Sequence, residues 1–218
     1  GTHKAAIDDI RARNIDFVTQ MGDIAVDGMR KQVEELGRMV GQFFKIDVLY
    51  NSRLEVTDVY AGNAIEEYYA AIPAAQKSYS IPKITGKDIV IANANAKATD
   101  AMNAVSVASL AVKEDGGDLV LIDRTHTGQQ IHYLLGEFGR HRGGRMYSGK
   151  IQIRPQISRY IYWMEPEPSS AFQCGELDKQ VYADTWQEVL DLLVETYGES
   201  ANVAVIAEGT IACYEQRY

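Results

Sequence analysis

Two stretches of the chain concentrate the polar groups from which a small-molecule site could be built. The first, residues 93–100, reads Asn-Ala-Asn-Ala-Lys-Ala-Thr-Asp. Its small residues let backbone approach a ligand, amides at a helix start favour anions, and Lys97 adds a mobile positive charge. The same letters also suit plain helix capping by Asn95, Thr99 or Asp100. The second stretch, 123–129, reads Asp-Arg-Thr-His-Thr-Gly-Gln, with His132 and Tyr133 following. A carboxylate, a guanidinium and an imidazole within four residues could bind a hydroxy acid or supply a general base. Equally, they could form a solvated loop with a local ion pair. A third group, Arg140, His141, Arg142 and Arg145, is the one basic concentration in the sequence. Arg142 could clamp a carboxylate or phosphate bidentately, or the loop could be ordinary surface. The substrate-binding candidates are therefore Asn93, Asn95, Lys97, Asp123, Arg124, His126, Gln129 and Arg142, and no residue is assigned a catalytic role.

Several familiar signatures are missing. The four histidines, His3, His126, His132 and His141, are scattered, and neither H-E-x-x-H nor C-x-x-C occurs, so no metal site is expected. The glycine-rich patterns for dinucleotides and nucleoside triphosphates are absent, as is the G-x-S-x-G elbow of hydrolases. Cys174 and Cys213 lack a helix-start or motif context and read as inert thiols.

The elements that would position these residues follow from two alternating periods. Ala25, Val26, Met29, Val33, Leu36 and Val40 recur at helical spacing and predict an amphipathic helix over about 23–41. Two β-rich runs, 43–50 and 54–60, flank Asn51-Ser-Arg53 as a hairpin. A helix follows over 61–77, which Pro73 should end or kink. The apolar run 88–92, an Ala-rich helix over 98–112, the Gly116-Gly117 stop and a second apolar run 118–122 make a βαβ unit with parallel strands covered on both sides. Further helices are expected at 129–138 and 185–197, and further strands at 157–163 and 203–207. This alternation predicts a single α/β domain over 1–218. Its architecture is a three-layer sandwich with a mostly parallel central sheet, to which the hairpin could add an antiparallel edge.

Composition bounds the class of function. The 218 residues carry 22 Lys and Arg against 30 Asp and Glu, a net charge of −8, which disfavours nucleic acid or anionic membrane as partner. Hydrophobic residues at 46% and charged residues at 24% exclude intrinsic disorder. No apolar run approaches a membrane span; the best, 101–112, is interrupted by Asn103, Ser106 and Ser109. With only two cysteines a cytoplasmic protein is expected. The opening Gly1-Thr-His-Lys, without Met, reads as a piece of a longer polypeptide.

The segments Lys87-Asp-Ile-Val-Ile-Ala-Asn-Ala-Asn-Ala-Lys97, Val112-Lys-Glu-Asp-Gly-Gly-Asp-Leu-Val-Leu-Ile122, Gly128-Gln-Gln-Ile-His-Tyr-Leu-Leu-Gly136 and Phe138-Gly-Arg140 together resemble the carboxy-terminal domain of the nickel-pincer lactate racemase superfamily. The similarity runs from about residue 20 to the end and is most specific over roughly 86–147. It implies a two-domain enzyme with its site in the cleft between domains. The amino-terminal domain, expected to be absent from this chain, would carry the lysine-tethered nickel-pincer nucleotide and the histidine bases. The carboxy-terminal domain would hold the substrate carboxylate through a Tyr-Gln-x-x-Lys motif near the start of the helix after the first core strand. Here the matching stretch, 96–103, does not reproduce that motif in either register, and Lys97 is the candidate replacement.

The resemblance thus implies racemisation or epimerisation of a 2-hydroxy acid or related sugar acid, by hydride removal and return. The chain alone is expected to be inactive and free of nickel. The competing expectation is a non-catalytic module of the same fold that binds an anionic metabolite or serves oligomerisation as a homo-oligomer, and the expected partners are a small carboxylate and the missing domain.

Overall fold

The computed structural model describes residues 28–41, 44–124, 157–164 and 177–215. In chain order its main elements are α1 (Gly28–Val40), β1 (Phe44–Tyr50), β2 (Val56–Asn63), α2 (Glu66–Tyr79), β3 (Ser80–Ile81), β4 (Ile89–Asn93), α3 (Met102–Ser109), β5 (Gly117–Ile122), β6 (Ile157–Trp163), β7 (Gln180–Ala183), α4 (Trp186–Tyr197), β8 (Val203–Ile206) and β9 (Cys213–Tyr214). They divide into two compact units, residues 1–82 with 213–218 and residues 83–212. Among the described residues no helix is long and apolar enough to cross a membrane. The expected helix at 129–138, the basic loop at 140–145, residues 23–27 of the first expected helix and Cys174 lie outside the described residues.

In the first unit, β1 and β2 form the expected antiparallel hairpin, but as a two-stranded sheet of their own and not as an edge of the parallel sheet. The turn closes because the Asn51 side chain accepts from the Arg53 and Glu55 amides at 2.9 and 3.1 Å. Tyr79 at the end of α2 pins β1: its hydroxyl donates to the Tyr50 carbonyl and accepts from the Tyr50 amide, both at 2.9 Å. Of the two expectations for Pro73, an end or a kink, the end is not what forms: α2 continues through it to Tyr79. Pro73 is exposed, so the carbonyl freed four residues earlier can be met by water.

α1 also departs from expectation. Its apolar stripe is exposed (Val33 46%, Leu36 61%, Val40 73%), whereas Glu34 is buried. Glu34 accepts from Tyr69 Oη at 2.6 Å, Arg30 Nε at 3.0 Å and Arg38 Nη2 at 3.1 Å. The Tyr69 hydroxyl, more than either arginine, holds the Glu34 carboxyl below the usual carboxylate range, against the opposing pull of burial. A depressed carboxylate stabilises the fold above its unfolded pKa, and that contribution is lost as pH falls through the folded value. The stability difference between wild type and Glu34→Gln should therefore shrink as urea titrations move from neutral pH into the acid range. A constant difference would show that the charge is not what Glu34 contributes.

The second unit is a five-stranded parallel sheet in the order β7-β6-β5-β4-β8 with helices on both faces, the three-layer α/β sandwich the alternation predicts. Strand alternation sends Ile89, Val120 and Ile161 to one face, beneath Val189 and Leu193 of α4. Val90, Ala92, Leu119 and Leu121 turn to the other, where α3 packs on β4 and β5. The Ala-rich stretch is shorter as α-helix than expected. Residues Asn95–Asp100 form a 3₁₀ segment broken at Lys97 (φ −134°, ψ 56°), and only Met102–Ser109 is α-helical. Ala101, Ala104 and Ala108 are wholly buried, so small side chains let this short helix lie close to the strands.

α4 begins as its sequence requires. Thr185 Oγ1 accepts from the Glu188 amide at 3.2 Å, and Glu188 Oε2 accepts from the Asp184 amide at 2.9 Å. Thr185→Ala should cost about 1 kcal/mol of unfolding free energy, measurable by urea denaturation. A loss below a few tenths would mean that packing alone sets this helix start.

Candidate functional site

Strands β4 to β7 are laid down in sequence order in one direction, and β8 then returns to the far side of β4. The strand order therefore reverses between β4 and β8, and in open parallel sheets the crevice beyond the carboxyl ends at such a reversal is where ligands bind. Three chain segments leave the sheet at this edge: after Asn93, after Ile122 and after Ile206.

These segments are tied together by side chains. The Asn93 carbonyl accepts from the Gly209 amide at 2.7 Å, and the Asn93 side-chain oxygen accepts from the Asn95 amide at 3.2 Å. Asn95 Oδ1 in turn accepts from the Arg124 amide at 3.1 Å, and the Ala94 amide donates to the Ile122 carbonyl at 2.9 Å. The loops after β4 and β5 thus lie side by side, as a right-handed βαβ unit demands.

Asn93 and Asn95 are both engaged in holding loops. Lys97 Nζ stands 3.0 Å from Asp100 Oδ2 with its side chain 48% exposed, so its charge reaches solvent. Asp100 also accepts from Asn103 Nδ2 at 3.0 Å. Neither N-cap position here, Ala94 or Ala101, carries a side-chain cap, so the alternative in which Asn95, Thr99 or Asp100 caps the helix is not what forms. Asp123 is buried at the end of β5, its amide donating to the Trp163 carbonyl at 3.3 Å. Arg124 is exposed, its guanidinium carbon 5.6 Å from the Trp163 ring centre, within cation–π range. His126, Gln129 and Arg142 lie outside the described residues.

The residue that sequence reasoning missed is Glu208. It is 8% exposed just beyond β8, and its carboxylate faces donors only. Oε2 accepts from the Ala96 amide at 3.0 Å and, at a long 3.5 Å, from Asn93 Nδ2. Oε1 accepts from Thr210 Oγ1 at 2.7 Å and, more weakly, from the Thr210 amide at 3.4 Å. The Ala96 amide, one of the loop amides expected to favour an incoming anion, is therefore already taken by the protein's own carboxylate. Among the described residues of the loops after β4 and β5, Lys97 and Arg124 keep exposed cationic side chains. Among the described residues no three His, Cys, Asp or Glu side chains stand together as a group that could hold a metal ion.

No protein-family model and no curated protein matches the chain. Solved structures do. The lactate racemase apoprotein from Thermoanaerobacterium thermosaccharolyticum is similar at 13% identity over 88% of this chain, with a TM-score of 0.63. A protein from Thermotoga maritima, solved by structural genomics, is similar at 10% identity over 87% of this chain, with a TM-score of 0.49. The chain spans about half the length of each, 51% and 54%. At such identity the racemase comparison establishes a distant likeness of fold.

Proposed function

We propose that this chain is the substrate-facing part of a lactate-racemase-like enzyme acting on a 2-hydroxy acid or a related sugar acid, with Lys97 and Arg124 taking the substrate carboxylate. The observation that carries the reading is the meeting of the β4 and β5 loops beyond the carboxyl ends of their strands, next to the strand-order reversal, with two exposed cations on loops that share the Asn95–Arg124 hydrogen bond. The racemase-like fold is what makes a hydroxy acid the ligand of choice. Lys97 supplies a compact charge that a substrate carboxylate can draw from Asp100. Arg124 supplies a planar fork suited to a bidentate contact. When bound, a nickel-pincer nucleotide held outside the described residues would supply the hydride acceptor; the residues described here bind and orient.

Lys97→Ala should weaken binding of lactate or gluconate by about 1.5–3 kcal/mol, the worth of a charge-assisted contact, while leaving the melting temperature nearly unchanged. Titration calorimetry with the full polypeptide checks this. Unchanged affinity for whichever acid the wild type binds would remove Lys97 from the site. The second reading, a non-catalytic binding module of the same fold, is favoured by the engagement of Asn93, Asn95 and Glu208 in loop hydrogen bonds. Binding without racemisation or epimerisation in the full polypeptide would select it.

A further inference from the structure

We infer that Glu208 is the positioning residue of this edge: through Asn93 and Asn95 its carboxylate sets where Lys97 and Arg124 stand. The inference rests on the binding role proposed above for those two cations. A continuous path of hydrogen bonds supports it. Glu208 Oε2 receives the Ala96 amide and the Asn93 side-chain amide, Asn93 Oδ1 receives the Asn95 amide, and Asn95 Oδ1 receives the Arg124 amide. The path begins beyond β8, crosses the loop after β4 and ends on the loop after β5. Lys97 follows Ala96 directly, at the non-helical residue that interrupts the 3₁₀ segment. A backbone there, out of regular helical conformation, depends on bonds from outside the segment to hold its place.

The chemistry requires an acceptor at position 208. Four groups donate to it: the Ala96 amide, Asn93 Nδ2, the Thr210 amide and the Thr210 hydroxyl. An ionised carboxylate offers two acceptor oxygens, enough for all four, and has no hydrogen to turn toward them. An amide of the same shape has one oxygen and one NH2. Whichever way it is placed, the NH2 faces either the Ala96 and Asn93 donors or the Thr210 donors. The Thr210 hydroxyl can rotate and offer a lone pair instead; the Ala96 amide cannot. With its oxygen on the Ala96 side and its NH2 donating to the rotated Thr210 hydroxyl, the amide keeps the tie between the loops and gives up only the weak Thr210 amide bond, whereas an alanine loses every one of these bonds.

The test uses Glu208→Ala, Glu208→Gln and Asn95→Ala in the full polypeptide, with residue-resolved hydrogen exchange and lactate or gluconate titration as separate readouts. Glu208→Ala should speed exchange of the Ala96, Asn95 and Arg124 amides at least tenfold while leaving the Val189 amide in α4 unchanged. It should also weaken acid binding at least fivefold. Glu208→Gln, which keeps an acceptor toward Ala96, should hold Ala96 exchange within threefold of wild type. Asn95→Ala cuts only the last link, so exchange should rise at Arg124 and stay unchanged at Ala96. It keeps the test open should Glu208→Ala fail to fold. Exchange at Ala96 and Arg124 within twofold of wild type in Glu208→Ala would overturn the inference, as would faster exchange with unaltered affinity. So would Asn95→Ala leaving Arg124 protected. If the wild type binds neither acid, the proposed function fails by itself, and the exchange measurements still decide whether Glu208 holds the loops.

Discussion

Arg159→Met should lower the unfolding free energy by about 3–5 kcal/mol, the usual cost of leaving one half of a buried ion pair behind. Asp118 is wholly buried, and it faces Arg159 directly across the parallel β5–β6 register. Asp118 Oδ2 accepts from Arg159 Nε at 3.0 Å and from Nη2. The same Nη2 reaches Thr196 Oγ1 at 2.8 Å and the Leu192 carbonyl at 3.1 Å, so one guanidinium joins two strands to α4. Bonding to Asp118 pushes the Arg159 pKa above its ordinary value, outweighing the burial that would lower it. Asp118 Oδ1 is buried with no partner among the described residues, so the carboxylate has no second support once the guanidinium is gone. Urea denaturation of the single variant and of Asp118→Leu/Arg159→Met separates the terms. The double variant should recover most of the loss, because replacing both charges removes the desolvation penalty. A single variant within 1 kcal/mol of wild type would contradict the account.

Gly209→Val should cost about 3 kcal/mol, the upper end of what overpacking imposes on a filled site. A Cβ at Gly209 would lie 2.7 Å from Ala104 Cβ and 3.0 Å from Ala104 Cα, in direct conflict with α3. The loop cannot retreat without losing the Gly209 amide bond to the Asn93 carbonyl at 2.7 Å. Stability and edge geometry should therefore fail together: the amides of Ala96 and Arg124 should exchange faster in the variant. Gly209→Ala/Ala104→Gly should be more stable than Gly209→Ala, since it removes the nearer of the two contacts. Calorimetric melting with residue-resolved exchange checks both statements, and a Gly209→Val protein as stable as wild type would show that α3 can move aside.

Much of the second unit was legible in the residues. Apolar runs at 88–92 and 118–122 became adjacent parallel strands because a strand covered on both faces needs apolar side chains in both directions. Ile157–Trp163 and Val203–Ile206 were legible from their aromatic and β-branched residues, although Val203 and Val205 stand exposed on an edge strand. β7 was not: Gln180–Ala183 is four residues of mixed character, and it is a strand because β6 offers it an open edge. The inward face of α1 was not legible, because periodicity finds a stripe but not what lies against it. Glu34 was drawn in by Tyr69 from 35 residues away.

At the edge the division is sharper. Local sequence determined that polar residues follow β4 and β5, and the parallel run of these two strands puts both sets at the same edge of the sheet. Only the tertiary structure decided which of them hold loops and which keep an exposed charge. Glu208 lies 112 residues from the Ala96 amide it accepts, and one acid after a strand looks like any solvated turn. Hydrogen-bond partners brought together by strand order leave no spacing in the chain to be read. The placement of β8 beside β4 turned Glu208 into the acceptor that Ala96 and Asn93 required.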